Sequence, residues 1–218
     1  TTQSLALRGS TLYVAGSNGN QQIYSGDIKE IPNFVPHLRN VSRMASGSNH
    51  SLVIKTDGTL WVAGNNSSGQ LGTGDGRNTI AFEKKIALRS FKNGQYVCAD
   101  LEYGPDAPLY SNRSIIGPWE TFGLLDLGWP DCKYVALRSY ATGNYVTATN
   151  EGTSRAQASS LGCGDWEVFR LDNNGSGVYA FCVIDDFMNK YLRYDSFIPE
   201  QSSLGQGVFF YICNLDNK

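Results

Sequence analysis

The sequence predicts an all-β chain in two parts: blade-like hairpins first, then a closed barrel with threefold pseudosymmetry. Three observations predict it. Apolar residues come in short alternating runs broken by Gly, Ser, Asn or charge, the pattern of half-buried strands joined by turns. The chain carries 24 Gly against 7 Pro in 218 residues, which favours a turn-rich fold. It also repeats itself in two unrelated wordings, each with a period near 48 residues.

The first repeat sets "GSTLYVAGSNGNQQIYSGD" (Gly9 to Asp27) against "DGTLWVAGNNSSGQLGTGD" (Asp57 to Asp75), with Thr11 and Thr59 in register. Ahead of each lies an apolar alternation, "SLALR" (Ser4 to Arg8) and "SLVIK" (Ser51 to Lys55). Each copy therefore reads as a strand, a tight turn, a second strand and a Gly/Asn-rich loop. The segment "SGSNHSLVIKTDGTLWVAGNNSSGQLGTGD" (Ser46 to Asp75) resembles the repeat of the regulator of chromosome condensation family, with its "GxxHS", Gly-Thr turn, aromatic-x-x-Gly step and "GQLGTGD". The first copy departs from that wording, with "QQIYSGD" in place of "GQLGTGD". The resemblance implies that His50 hydrogen-bonds a neighbouring blade and that Tyr13 and Trp61, at equivalent positions, pack between blades. Residues 1–80 hold about one and a half blades, whereas a propeller needs about four or more to close. The expectation is an incomplete propeller that begins inside a blade: either half of a larger propeller, its missing strands supplied upstream, or a small sheet packed against its neighbour.

A short link near Ala81 to Lys85 is expected to lead into the second repeat. "IALRSFKNGQYVCAD" (Ile86 to Asp100) aligns with "VALRSYATGNYVTAT" (Val135 to Thr149), and "GPWETF" with "GDWEVF". A fainter third copy runs from "YAFCVIDDFMNKYLRYD" (Tyr179 to Asp195) to "GQGVFFYI" (Gly205 to Ile212). Three such units imply a β-trefoil over residues 85–218, because closure removes sheet edges. In it Phe122, Phe169 and Phe209 are expected as threefold-related core residues, with Trp119 and Trp166 packed beside them on the turn that Gly117 and Pro118 shape. Gln206 then stands in the third copy where Trp166 stands in the second. The wording "ALRS…NGQYVCAD…APLYSNRSIIGPWETFGLL" resembles the fascin-like, actin-crosslinking branch of the β-trefoils over roughly Lys85 to Leu215. The likeness is strongest in the first unit, which implies that an inherited binding function sits there.

Composition narrows the function. A net charge of −2 with 17% charged residues speaks against a nucleic-acid binder. No apolar run approaches the roughly 20 residues of a membrane-spanning helix, so no membrane insertion is expected. Cys98, Cys132, Cys163, Cys182 and Cys213 show no C-x-x-C spacing, and the two histidines, His37 and His50, give no structural zinc set. One or two disulfides are open to a secreted form. No G-x-S-x-G, P-loop, H-E-x-x-H or dinucleotide fingerprint occurs. Asp185 and Asp186 are adjacent and face opposite ways on a strand, and Asp131 and Glu102 fall in separate loops. The chain therefore reads as no enzyme, with no cofactor and no metal.

Binding fits better. A sugar offers paired hydroxyls to planar amide, carboxylate and guanidinium groups, and an apolar C–H face to an aromatic ring. The first trefoil unit supplies both in Asp100, Tyr103, Tyr110, Asn112 and Arg113. The second retains Arg155 and Gln157 in "TNEGTSRAQASS" but has no ring, so a single site is expected. The reading is a non-catalytic, lectin-like carbohydrate-binding module of a larger secreted or surface protein. Its partners would be a glycan or glycoconjugate, another protein, or upstream blades. The rival readings are an actin-binding trefoil in the cytoplasm and a structural or targeting part of a toxin or surface fibre. Exchange-factor activity towards a small GTPase, known in the propeller family, needs a complete propeller face.

Overall fold

The computed structural model describes residues 2–24, 28–127, 134–148, 155–161, 163, 165–173, 177–183, 190–192, 199–200 and 210–215. Among them the regular elements are strands and three-residue 3-10 turns, without an α-helix. The chain divides into two compact units, residues 1–84 with 125–132 and residues 85–124 with 133–218.

The first unit builds one hairpin design twice. Strands β1 (Gln3–Arg8) and β2 (Thr11–Ser17) pair antiparallel with Arg8 opposite Thr11, and β3 (Glu30–Leu38) joins β2. Strands β5 (His50–Lys55) and β6 (Leu60–Gly64) repeat that hairpin, flanked by β4 (Val41–Ser46) and the first half of β7 (Thr79–Ser90). The segment expected as a link near Ala81 to Lys85 lies within β7, and the division between units falls at Lys84 and Lys85. Alternation sends Leu12, Val14, Val53 and Trp61 inward, where they meet Leu38 and Phe82 in the core.

The repeated Asn and Gln residues prove to be loop scaffolding. Asn18 and Asn66, 48 positions apart, are both fully buried. The Asn18 carbonyl oxygen accepts from the N–H groups of Ile23 and Tyr24 at 3.1 and 3.0 Å, and that of Asn66 from the N–H of Leu71 at 2.8 Å. Gln22 and Gln70 accept in the same way from Asn20 and Ser68, each at 2.9 Å. Buried backbone donors that no strand satisfies are thus satisfied by side chains at fixed offsets.

Among the described residues His50 shows no side-chain hydrogen bond between blades. Its ring occupies the space that a side chain on Gly47, in its own hairpin, would fill. The bond between repeats is made by Gln3, whose amide nitrogen donates to the carbonyls of Gly47 and His50. Trp61 also serves its own repeat: its indole N–H donates to Thr59 Oγ1 at 2.8 Å, and the ammonium groups of Lys55 and Lys84 lie 4.0 and 5.2 Å from its ring centre. Lys55 is held there by Asp126 at 2.7 Å.

The repeated aromatic-x-x-Gly step ends on Gly16 and Gly64, at φ +94° and +102°. A side chain on Gly64 would run into the Asn49 carbonyl oxygen and come within 2.7 Å of Gln22 Cβ. Gly64→Ala is expected to destabilise the first unit by at least about 1–3 kcal/mol from backbone strain alone, with the steric clash added. A urea midpoint unchanged from the parent would show that the hairpin can shift to relieve both.

In the second unit the later half of β7 begins a barrel. The first repeat continues with β8 (Tyr96–Ala99), β9 (Leu109–Arg113) and β10 (Phe122–Asp126). The second comprises β11 (Tyr134–Ser139), β12 (Tyr145–Thr147), β13 (Gln157–Ser160) and β14 (Phe169–Asn173). The third comprises β15 (Val178–Val183), β16 (Lys190–Leu192), β17 (Pro199–Glu200) and β18 (Phe210–Asn214). The first and last strands of the repeats pair in a ring, β7-β10-β11-β14-β15-β18 and back to β7, and the middle strands pair as the hairpins β8–β9, β12–β13 and β16–β17. A six-stranded barrel carrying three hairpins is a β-trefoil, and its closure leaves no barrel edge exposed.

Strand register corrects the third core position. Phe169 lies opposite Val183 and Val135, and Phe210 lies opposite Ser90 and Tyr179. Both registers make Phe210 the counterpart of Phe169, one residue beyond the expected Phe209, which lies outside the described residues together with Gln206. Phe122, Phe169 and Phe210 are at most 1% exposed. Phe181 joins two of them edge to face, 6.2 Å from Phe169 and 6.1 Å from Phe210. Trp119 and Trp166 are only half-buried, on the 3-10 turns Pro118–Glu120 and Asp165–Glu167. The inward-facing members of those turns are Glu120 and Glu167. A 3-10 turn rotates neighbouring side chains by about 120°, so the Trp-Glu step cannot bury both. Cys98, Cys163 and Cys182 are free thiols. Cys132, Asp131, Asp185 and Asp186 lie outside the described residues.

Candidate ligand-binding site

The site grows from the β8–β9 hairpin. Val97 pairs with Ser111 and Tyr96 with Arg113, so Asn112 is an extra residue in β9. Such a bulge breaks strict alternation. It brings Asn112 and Arg113 to the side of the hairpin that carries Cys98 and Asp100. There Arg113 Nη2 binds Asp100 Oδ2 at 2.9 Å, with Glu120 Oε1 at 3.7 Å and Glu102 Oε2 at 3.9 Å. Its guanidinium carbon lies 5.7 Å from the Trp119 ring centre.

Asp100 is fully buried. Its other oxygen accepts from the Glu102 N–H at 3.0 Å and so caps the 3-10 turn Leu101–Tyr103. Asp100 and Arg113 thereby hold the loop, Asp100 with no exposed side-chain surface and Arg113 with 30% of its side chain open. Cys98 lies 3.3 Å from Asn112 Oδ1, and burial pushes its thiol up to about 12, which removes it as a nucleophile. Among the described residues no cluster of three or more His, Cys, Asp or Glu is placed to hold a metal ion.

The turn that Asp100 caps presents Tyr103, which is 63% exposed. Its ring centre lies 4.8 Å from that of Tyr110, the planes tilted by 35°. Tyr110 is half-buried, and the Arg155 guanidinium carbon sits 4.3 Å from its ring centre. Arg155 Nη1 also donates to the Leu109 carbonyl at 2.9 Å. Of the five residues expected at the site, Tyr103 and Tyr110 thus form one aromatic surface. Asn112 is exposed on the neighbouring strand end, and Asp100 and Arg113 support them from beneath.

Arg155 corrects the expectation that no ring stands beside it. It comes from the second repeat because the two repeats zip together: the Leu109 N–H donates to the Ala156 carbonyl at 2.9 Å and the Ala158 N–H to the Ala107 carbonyl at 3.0 Å. Pro108 and Gln157 form a bridge in the middle.

A β-trefoil with an exposed tyrosine pair, behind blade-like hairpins, defines the class of this chain. Residues 41–70 match the family described as the regulator of chromosome condensation (RCC1) repeat. A repeat-containing protein of that kind from Schizosaccharomyces pombe is 37% identical over 59 residues, covering 26% of this chain and 17% of its own length. The X-linked retinitis pigmentosa GTPase regulator of Canis lupus familiaris is 33% identical over 73 residues, covering 31% of this chain and 7% of its own. The chain thus spans under a fifth of either relative.

For the barrel, the designed 3-fold symmetric protein ThreeFoil superposes with a TM-score of 0.52 at 19% identity, over 60% of this chain and 99% of its own. SeviL bound to asialo-GM1 saccharide gives 0.47 at 12% identity, over 60% and 97%. The BEL β-trefoil gives 0.49 at 14%, over 61% and 93%. The likeness to ThreeFoil is one of fold.

Proposed function

We propose that the trefoil is a non-catalytic carbohydrate-binding module and that its first repeat, completed by Arg155, is the binding surface. The observation that carries this reading is the exposed Tyr103 ring, backed by Tyr110 and by a guanidinium on Tyr110, with the Asn112 amide beside it. An exposed tyrosine is a costly ornament on a capped, anchored loop, and its face matches the C–H face of a pyranose. The fascin-like wording of the sequence belongs to the same proposal, as does an extracellular or cell-surface location. The neighbouring blades would then attach the module to the rest of a larger protein.

A shallow surface with one ring and a few polar groups should bind with a Kd of about 1 mM to 1 μM, or roughly 4–8 kcal/mol. Tyr103→Ala is expected to weaken binding by tenfold or more without altering the circular dichroism. Arg155→Ala should weaken it less, by freeing the Tyr110 ring. Titration against a glycan panel, with sedimentation against filamentous actin as the control, tests this. A chain that pellets with filaments and ignores every glycan would sink the carbohydrate reading.

A further inference from the structure

The barrel carries a second aromatic surface that its symmetry does not require. On the outer face of three adjacent strands, Tyr96 lies opposite Arg89 and Arg89 opposite Tyr211, so β8, β7 and β18 present a row of ring, guanidinium and ring. Partners directly across a sheet share a face at a strand spacing of about 4.8 Å. Phe91, two residues beyond Arg89, closes over Tyr211 with ring centres 5.7 Å apart and planes tilted by 43°. Phe91 is 43% and Tyr211 36% exposed.

The threefold comparison shows that this surface is particular. With Phe210 the counterpart of Phe169 and Phe122, the outward position that follows is Tyr211 in the third repeat, Arg170 in the second and Gly123 in the first. The barrel closes with any of the three. The counterpart of Phe91 in the second repeat is Tyr140, which is covered by the ammonium of Lys85 at 5.1 Å and the guanidinium of Arg138 at 5.3 Å. The seam of the third and first repeats, unlike that at Tyr140, leaves two rings open together.

Charge identifies the ligand class. From Ile86 to Ala99 and from Phe210 to Leu215 the charged residues are Arg89 and Lys92, both exposed cations, with no carboxylate in either segment. Arg89 is fixed in the row by its Nε, which donates to the Gly94 carbonyl at 2.8 Å, and its guanidinium carbon lies 6.0 Å from the Tyr96 ring centre. A V-shaped ring pair next to two cations suits a ligand with an apolar face and an anionic group attached to it. We propose that this seam is a second site, which takes a saccharide bearing sulfate or carboxylate. This goes beyond the site on Tyr103 and does not rest on it, since the two surfaces share no residue.

The test is calorimetric titration of the full chain with a heparin-derived tetrasaccharide and with the same tetrasaccharide desulfated. Binding is expected for the sulfated form, at least tenfold weaker for the desulfated form, and weaker by threefold or more between 50 and 200 mM salt. Tyr211→Ser and Arg89→Gln should each lower affinity by tenfold or more. Arg89→Lys, which keeps the charge but not the planar fork, should fall between them and the parent. Native circular dichroism in each variant separates lost binding from lost folding, and Lys92→Gln offers a substitution on an exposed turn that no fold contact resists. The proposal is overturned if the sulfated probe does not bind, if the desulfated one binds equally, or if an acidic peptide binds in its place. It is also overturned if Tyr103→Ala abolishes binding while Tyr211→Ser leaves it intact, because the anion would then belong to the first surface.

Discussion

Phe122→Ala should cost the trefoil about 3–5 kcal/mol, the usual range for removing a fully buried phenyl ring. Phe122 has no exposed surface, and its counterparts Phe169 and Phe210 have at most 1%, so the three rings fill the barrel where no water can replace them. The loss combines the transfer of the ring from the core with the cavity left behind. A closed ring of six strands cannot collapse onto that cavity as a helix pair can. Phe169→Ala and Phe210→Ala should fall in the same range, whereas Trp119→Ala, on a half-buried ring, should cost clearly less. Urea denaturation followed by near-ultraviolet circular dichroism gives all four values. A Phe122→Ala midpoint within the scatter of surface substitutions, or a Phe210→Ala effect far below that of Phe169→Ala, would show the threefold register to be wrong.

The sequence made the repeats legible because repetition is read by comparison and needs no energies. The offsets placed both hairpin copies and all three barrel units. What they could not place was anything that depends on a local break in alternation. The one-residue slip from Phe209 to Phe210 set the wrong one of two adjacent phenylalanines against Phe169; the gapless match of "GQGVFFYI" to "GDWEVFRL" and the pairing with Ser90 and Tyr179 both place Phe210 there. The bulge at Asn112 turned Arg113 toward Asp100, so two residues read as ligand contacts also anchor the loop. Trp119 and Trp166 were read as core from their size, and the 3-10 turn gave the buried position to the following glutamate instead. Arg155 was missed for a topological reason, since a residue of one repeat completes the surface of its neighbour. The short row of Tyr96, Arg89 and Tyr211 depends on pairing between the first and last strands of the barrel, which no local pattern expresses.

Acid should destabilise the first unit through a single histidine. His37, on β3, is 6% exposed and packs between Tyr24 and Phe82, with ring centres at 4.8 and 5.8 Å. Neither ring nitrogen has a hydrogen-bond partner among the described residues. Burial makes the imidazolium costly and lowers the pKa from the ordinary 6.5 to about 4; the carboxylate of Asp126 works against this shift and the ammonium of Lys55 adds to it. Because the folded state binds the proton more weakly than the unfolded chain, the unfolded chain gains protons first as the pH falls. Stability due to neutral His37 is therefore fully present above about pH 7, declines as the pH falls through 6.5 towards 4, and changes no further below that. At about 1.4 kcal/mol for each unit of pKa difference, the loss across the window is roughly 3 kcal/mol. His37→Leu removes the titrating group together with two unpartnered nitrogens, so it should be close to neutral at pH 7.5 and clearly more stable than the parent at pH 4.5. Urea midpoints of parent and variant at pH 7.5, 6, 5 and 4.5 measure this directly. If the variant loses stability with the same slope as the parent between pH 6.5 and 4, the acid sensitivity belongs to carboxylates elsewhere and His37 has no part in it.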